Sequence, residues 1–273
     1  MMDDGGVRRA RLLVAYDGAP FHGFAVNDGV ATVMGSLSDA VGRIVRSAPE
    51  DLGLVGAGRT DAGVHAWGQV VSCALPVETD LGDLAYRVNR MLGPSIAVRA
   101  ADWVPDDFHA RYSATARRYR YLVWNAPHPN PLLAHRTWHV PTPLVRWALD
   151  AACDPLVGRH DFSSFCRRAK VADGDREPTL VRHVIDARWT IVDEHLLRFE
   201  ISANSFCQQM VRSIVGTLVD VGRGKLTPGE IRAILAARDR SAAGSVAPPH
   251  GLTLWHVDYP DAAMPVGTIG GAP

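Results

Sequence analysis

Over its first hundred residues the chain changes its hydrophobic period in an order that few folds accept. Residues 11–16 alternate as a strand does. Val33, Leu37, Ala40, Val41, Ile44 and Val45 then recur at helical spacing. Residues 52–57 and 68–75 read as two further strands. Leu81, Leu84, Val88, Met91 and Leu92 mark a second amphipathic helix, which Gly93-Pro94 stops. Residues 96–104 return to a strand pattern. The order β-α-β-β-α-β predicts a ferredoxin-like arrangement.

The second half reads similarly. Residues 119–124 form a strand. Thr142 before Pro143 predicts a capped helix running to about residue 156. Two strands follow at 181–192 and 196–203, then a mostly apolar helix at 206–221. Thr227-Pro228-Gly229-Glu230 is a capping box before a short helix, and 252–257 is a last strand. The expected fold is α/β, with two ferredoxin-like or RRM-like halves joined around a mixed, mainly antiparallel sheet. The expected divisions are 8–105, 106–260 and a small-residue, Gly/Pro-rich flexible tail at 261–273.

With 273 residues and 47% hydrophobic content, the chain can bury a full core. No apolar run reaches the length of a membrane span, and no start resembles a signal peptide. Cys73, Cys153, Cys166 and Cys207 stand at unpaired spacings. This argues against a zinc site and a disulfide framework, and a reducing cytoplasm is the expected home. The formal net charge of +0 lacks the basic balance usual for a nucleic-acid binder. Cations nevertheless gather at Arg117, Arg118 and Arg120, and again at Arg167, Arg168 and Lys170.

Chemistry concentrates in Gly58-Arg59-Thr60-Asp61-Ala62-Gly63-Val64-His65. Here a carboxylate and a guanidinium share one glycine-punctuated turn, and glycine lets a backbone turn sharply and a ligand come close. A structural loop needs only an Asx-turn and a solvated Arg; this one carries Arg, Thr, Asp and His together. A second signal is Arg212, the sole charged residue between Glu200 and Asp220, within an apolar helical pattern. A guanidinium buried without a partner is costly, so it calls for a carboxylate, backbone carbonyls or a route to solvent.

These segments resemble the A type of tRNA pseudouridine synthases. The resemblance rests on Gly56 to His65, on Tyr16-Asp17-Gly18, and on Pro105 to Ala114. It continues through Arg117-Arg118-Tyr119-Arg120-Tyr121, Gly158 to Phe165, Met210 to Gly216, and Ala247 to Leu252, all in unchanged order. It implies that Asp61 is the essential carboxylate of uridine isomerisation, in a cleft between the halves. Arg212 serves that carboxylate, keeping it ionised and fixing its rotamer. Tyr119 stacks on the flipped uracil, Arg59 holds the flipped nucleotide, and Leu252 walls the base. Phe108, His109, Ala110, Arg111, Tyr112, Arg117 and Arg118 become RNA contacts, as do Arg167, Arg168 and Arg176. His65, His109 and His160 are assigned packing or hydrogen-bonding roles. The resemblance also implies a homodimer acting on uridines 38 to 40 of the anticodon stem-loop of tRNA, without metal or organic cofactor.

Some positions depart from the family pattern. Gly23-Phe24-Ala25 stands where Gly-Trp-Gln is usual, and Thr32-Val33-Met34 where Thr-Val-Gln is usual. Cys207-Gln208-Gln209 replaces polar, aromatic or basic residues. These changes bear on RNA contacts near the first helix and leave Asp61, Tyr119 and Arg212 in place. Two other classes fit the bare residues: a tRNA-binding module without catalysis, and an Asp-based nucleoside or glycoside hydrolase. Hydrolases of that kind usually pair two carboxylates, and the loop offers only Asp61.

Overall fold

A computed structural model describes residues 6–167 and 179–260. Along the chain run β1 (Val7–Tyr16), α1 (Val33–Val45), β2 (Val55–Gly56), β3 (His65–Pro76), α2 (Leu81–Leu92), β4 (Ile96–Trp103) and β5 (Ala116–Trp124). There follow β6 (Trp138–His139), α3 (Arg146–Ala151), β7 (Gly158–Asp161), β8 (Val181–Asp193), β9 (Leu196–Ala203), α4 (Met210–Gly222), α5 (Glu230–Ala237) and β10 (Leu252–Asp258). The fold is mixed α/β, and its strands are mostly antiparallel. The chain divides into two compact units. One holds residues up to Thr115 together with those from Leu254 onward, and the other holds Ala116–Thr253.

In the first unit the strand order is β4-β1-β3-β10, with β2 paired to β3. Register follows the buried alternation. Leu12 pairs with Val71 and Ala10 with Cys73, and all four side chains are fully buried. Thr32 caps α1 by accepting from Gly35 N at 3.2 Å. Asp80 caps α2 by accepting from Gly82 N and Asp83 N at 2.8 and 3.0 Å. Each cap satisfies amides that the first helical turn leaves without partners. The α1 stripe buries Val33, Leu37, Ala40 and Val41, and α2 buries Leu84 and Val88. Each fully buried leucine contributes about 2 kcal/mol of transfer free energy.

The second unit has the order β5-β9-β8-β7, with β6 parallel to β5. With the short β6 and β7 set aside, β5, α3, β8, β9 and α4 follow the strand and helix order of β1, α1, β2, β3 and α2. The helix α4 is its apolar centre: Met210, Ile214, Val215, Leu218 and Val219 are all buried. In α5, Glu230 accepts from Thr227 N at 2.6 Å and from Thr227 Oγ1 at 2.8 Å, as the capping box predicts.

Several elements differ from the sequence reading. The strand expected at 52–57 shrinks to β2. Leu52 O accepts from Ala74 N at 2.9 Å, but Gly53 has φ +54° and bends the chain out of the ladder. The helix expected from Pro143 to about 156 begins at Arg146 and ends at Ala151. Leu144 N donates to Asn125 Oδ1 and Val145 N to Gly222 O, so these amides are committed outside a helix. A separate 3-10 turn covers Asp154–Leu156. The helix expected from 206 starts at Met210, because Gln209 turns through φ +63°. The first unit extends past the expected boundary at 105. Ala110 N donates to Ser72 Oγ at 3.2 Å, and the Phe108 ring packs on Tyr259 at 5.0 Å. One expectation is overturned: Cys166 and Cys207 form a disulfide, with Cα atoms 5.8 Å apart and a sequence separation of 41. Spacing gave no hint because the partners come from two distant turns. Those turns run side by side, where Arg167 N donates to Gln208 O at 2.9 Å.

Candidate active site

The loop between β2 and β3 is held from below by buried polar side chains. Gly58 O accepts from Gln69 Nε2 at 2.9 Å. Two residues later, Thr60 Oγ1 shares a 2.8 Å hydrogen bond with Tyr16 Oη, and Thr60 O accepts from Phe24 N at 3.1 Å. Tyr16, Thr60 and Gln69 are buried to 5%, 8% and 0% exposure. Burial pushes the Tyr16 phenol up to about 12, with Thr60 and Gln69 beside it offsetting part of the rise. The phenol therefore stays protonated and can act as a neutral donor or acceptor. Phe24, at one of the departures from the family pattern, is buried with its ring 6.1 Å from that of Tyr16.

Between and beyond these pins, Arg59 is exposed and Asp61 half-buried. The turn then closes. Val64 N donates to Asp61 O at 3.1 Å, and Gly63 supplies the positive φ of +76°. His65, buried at the start of β3, places Nδ1 3.1 Å from Gly18 N and 3.0 Å from Asp17 Oδ1. Gly18 must stay small, since a Cβ there would run into the Val64 backbone. Tyr16-Asp17-Gly18 therefore acts as a floor for the Asp61 loop.

In the second unit Tyr119 lies on β5 opposite Ile201, buried, with its ring edge-on to Phe206 at 5.0 Å. Arg212 is the half-exposed position of an otherwise buried stretch of α4. Its Nε donates to Ala247 O at 2.8 Å, and Ala247 N returns a bond to Arg212 O at 3.1 Å. That carbonyl uses one donor of a five-donor fork. The segment around Ala247 is a strap across α4. Tyr121 Oη donates to Pro248 O at 2.8 Å, Gly244 N donates to Thr217 Oγ1 at 3.0 Å, and Gly216 leaves room for Ser245 O. Burial raises the Tyr121 phenol far above its ordinary value, and the charge of Arg212 offsets part of that. Leu252, the first residue of β10, is buried.

The remaining candidates sort by exposure. Arg111, Tyr112, Arg118 and Arg167 are exposed, and His109 stacks on Tyr112 at 4.4 Å. Phe108, Ala110 and Arg117 are buried parts of the fold. Ala110 O accepts from Tyr259 Oη at 2.7 Å, and Arg117 Nη1 donates to Asn204 O at 2.8 Å. Arg168 and Arg176 lie outside the described residues. His109 Nδ1 accepts from Arg111 N and Tyr112 N, and His160 Nε2 pairs with Val157 O. Among the described residues no group of three or more His, Cys, Asp or Glu side chains could hold a metal ion. None of their helices is long and apolar enough to cross a membrane.

The sequence reading missed Tyr16, Thr60 and Gln69 as supports of the loop. The available signal was Gln69, a polar residue inside the apolar strand His65 to Leu75. Such a residue needs a hydrogen-bond partner when buried.

A family model described as tRNA pseudouridine synthase matches residues 152–260. A tRNA pseudouridine synthase A from Bacillus licheniformis is 38% identical over 252 residues, covering 92% of this chain and 99% of the relative. The Bacillus subtilis protein of the same name is 38% identical over 251 residues, with the same coverage of both chains. The one from Geobacillus kaustophilus is 37% identical over 265 residues, covering 97% of this chain and 99% of that one.

Proposed function

The chain belongs to the tRNA pseudouridine synthase A family, isomerases that convert uridine to pseudouridine in the anticodon stem-loop of tRNA, and from that premise we propose that Asp61 is its essential carboxylate. The observation that carries this assignment is the loop itself. A half-exposed carboxylate follows a residue whose side chain and carbonyl are both pinned, and an exposed arginine lies two positions before it.

The isomerisation breaks the C1′–N1 bond of uridine and forms C1′–C5. The C5 hydrogen leaves to solvent and N1 gains a proton. Every route to this exchange uses one ionised carboxylate beside the glycosidic bond, and no redox change occurs. Tyr119 offers an aromatic face to the detached uracil, which has to leave its stack before it can react. Arg212 is the charged side chain that assists Asp61 in the reaction. Arg59, two positions before the carboxylate, holds the flipped nucleotide, and Leu252 walls the base. The exposed Arg111, Tyr112, Arg118 and Arg167 meet the tRNA backbone, as do Arg168 and Arg176; Phe108, Ala110 and Arg117 hold the surfaces that carry them. The target uridines are 38, 39 and 40, and the reaction takes place in the cytoplasm without metal or organic cofactor. The active species is a homodimer. Tyr86 and Met91 on α2 and Trp147 on α3 expose apolar surface that fits self-association, and light scattering on a sizing column tests it.

The reaction is tested by release of tritium from tRNA labelled at uridine C5. Wild type releases it, and Asp61→Asn loses roughly 10³-fold or more in rate while keeping tRNA affinity. Tight binding without release from any anticodon-arm uridine would leave a tRNA-binding protein in place of an isomerase. Turnover of free uridine would point to a hydrolase.

A further inference from the structure

The geometry points to Thr60 and Tyr16 as a register pin: their shared buried hydrogen bond turns Thr60 inward and thereby sets Arg59 and Asp61 outward together. They are positioning residues, acting on the reaction through Asp61, and the inference rests on the isomerase reading above. In an extended segment neighbouring side chains point to opposite sides. Residues 59–61 follow that rule: Arg59 is exposed, Thr60 is buried and bonds Tyr16, and Asp61 is half-buried, while the Gly58 carbonyl just before them accepts from Gln69. A slip of one residue would exchange the two sides and bury Arg59.

The backbone of this segment offers little to prevent such a slip. It pairs with β1 and β3 through no regular ladder after Gly56, where β2 ends after two residues. What remains is a set of point contacts. Ala57 N donates to Val70 O at 2.8 Å, Gln69 Nε2 reaches Gly58 O, and Thr60 is held at both its side chain and its carbonyl. Thr60 directly precedes Asp61, whose own carbonyl accepts from Val64 N. Tyr16 is suited to hold it, because β1 ends there in the first unit's core and its hydroxyl is buried between two polar side chains, Thr60 and Gln69. A pin of this kind acts on orientation. Losing it leaves tRNA contacts in place while Asp61 samples unproductive positions, and a displacement near 1 Å can cost about 100-fold in rate.

The test is a mutant cycle read by single-turnover tritium release, with tRNA affinity and thermal unfolding measured on the same preparations. Thr60→Val and Tyr16→Phe each remove one hydroxyl. Both are expected to slow release by about 10- to 100-fold with tRNA affinity changed by less than about threefold. The double variant is expected to be no slower than the worse single, since both remove the same bond. Thr60→Ser keeps the oxygen and is expected to restore the rate to within about threefold of wild type. A purely structural role would lower the unfolding temperature without this split or this rescue. If Thr60→Val fails to fold, Tyr16→Phe with Thr60→Ser decides the matter. Undiminished release by the folded single variants, or multiplicative losses in the double, overturns the pin and leaves the isomerase reading standing. No release by wild type overturns the isomerase reading and the pin with it.

Discussion

The first unit holds its candidate catalytic residue on a loop, whereas the second holds Tyr119 and Arg212 on a strand and a helix. The two solutions draw on different forces. Asp61 owes its place to a few point contacts: Gln69 to Gly58, Tyr16 to Thr60, Phe24 to Thr60 and Gly18 beneath Val64. Arg212 owes its place to apolar packing around α4, with Ile214, Val215, Leu218 and Val219 all buried. A loop stripped of one hydrogen bond can stay folded and lose aim. A helix stripped of core contacts loses stability first.

The comparison is tested most severely at Ile214, which is fully buried. Ile214→Ala should destabilise the protein by about 2–5 kcal/mol, through lost transfer energy and the cavity left behind. Activity at low temperature should survive, because the backbone that carries Arg212 is unchanged in the folded fraction. Denaturant unfolding and tritium release, measured together, check both halves of that statement. A specific loss of rate with full stability would mean that α4 also works by fine aim. A smaller effect is expected for Tyr121→Phe, which removes the donor to Pro248 O at 2.8 Å. Losing that bond should cost about 1 kcal/mol in denaturant unfolding and loosen the strap that meets Arg212. No change in stability would remove the strap from the account of how Arg212 is held.

The same contrast explains what could be read from the sequence. α1 and α2 were legible because each joins an apolar stripe to a capping residue, Thr32 or Asp80. Local signals of that kind survive without knowledge of neighbours. The start of α3 was not legible: Thr142-Pro143 is a sound local signal, but Asn125 and Gly222 claim the amides of Leu144 and Val145. The Cys166–Cys207 pair was hidden for the same reason, as its partners meet only through tertiary structure. At the candidate site the Asp61 loop announced itself through its unusual residue set. The floor beneath it did not, because Tyr16 and Thr60 look like ordinary strand and loop residues until their hydroxyls are seen 2.8 Å apart.

The two units should also part company in acid. The supports of the Asp61 loop at Tyr16, Thr60 and Gln69 are neutral, and the Tyr16 phenol, at about 12, does not ionise in the working range. The second unit carries Glu200 among three arginines, with Arg120 Nε at 2.6 Å, Arg188 Nη2 at 3.0 Å and Arg198 Nη2 at 3.6 Å. Arg188 also contacts Asp186. Burial alone would raise the Glu200 carboxyl, but the arginines, Arg120 foremost, hold it below its ordinary value. A carboxyl lowered by folding binds its proton more readily in the unfolded chain. Its contribution is therefore complete above the unfolded value, near 4.3, and is lost as pH falls from there through the folded value. Wild type should lose stability across that acidic window faster than Glu200→Gln, whose side chain does not titrate, although the variant starts lower at neutral pH. Urea unfolding at a series of pH values reads the difference directly. Parallel curves for the two proteins would show that the arginine cluster does not couple Glu200 to folding, and the acid sensitivity of the second unit would then have to come from other carboxylates.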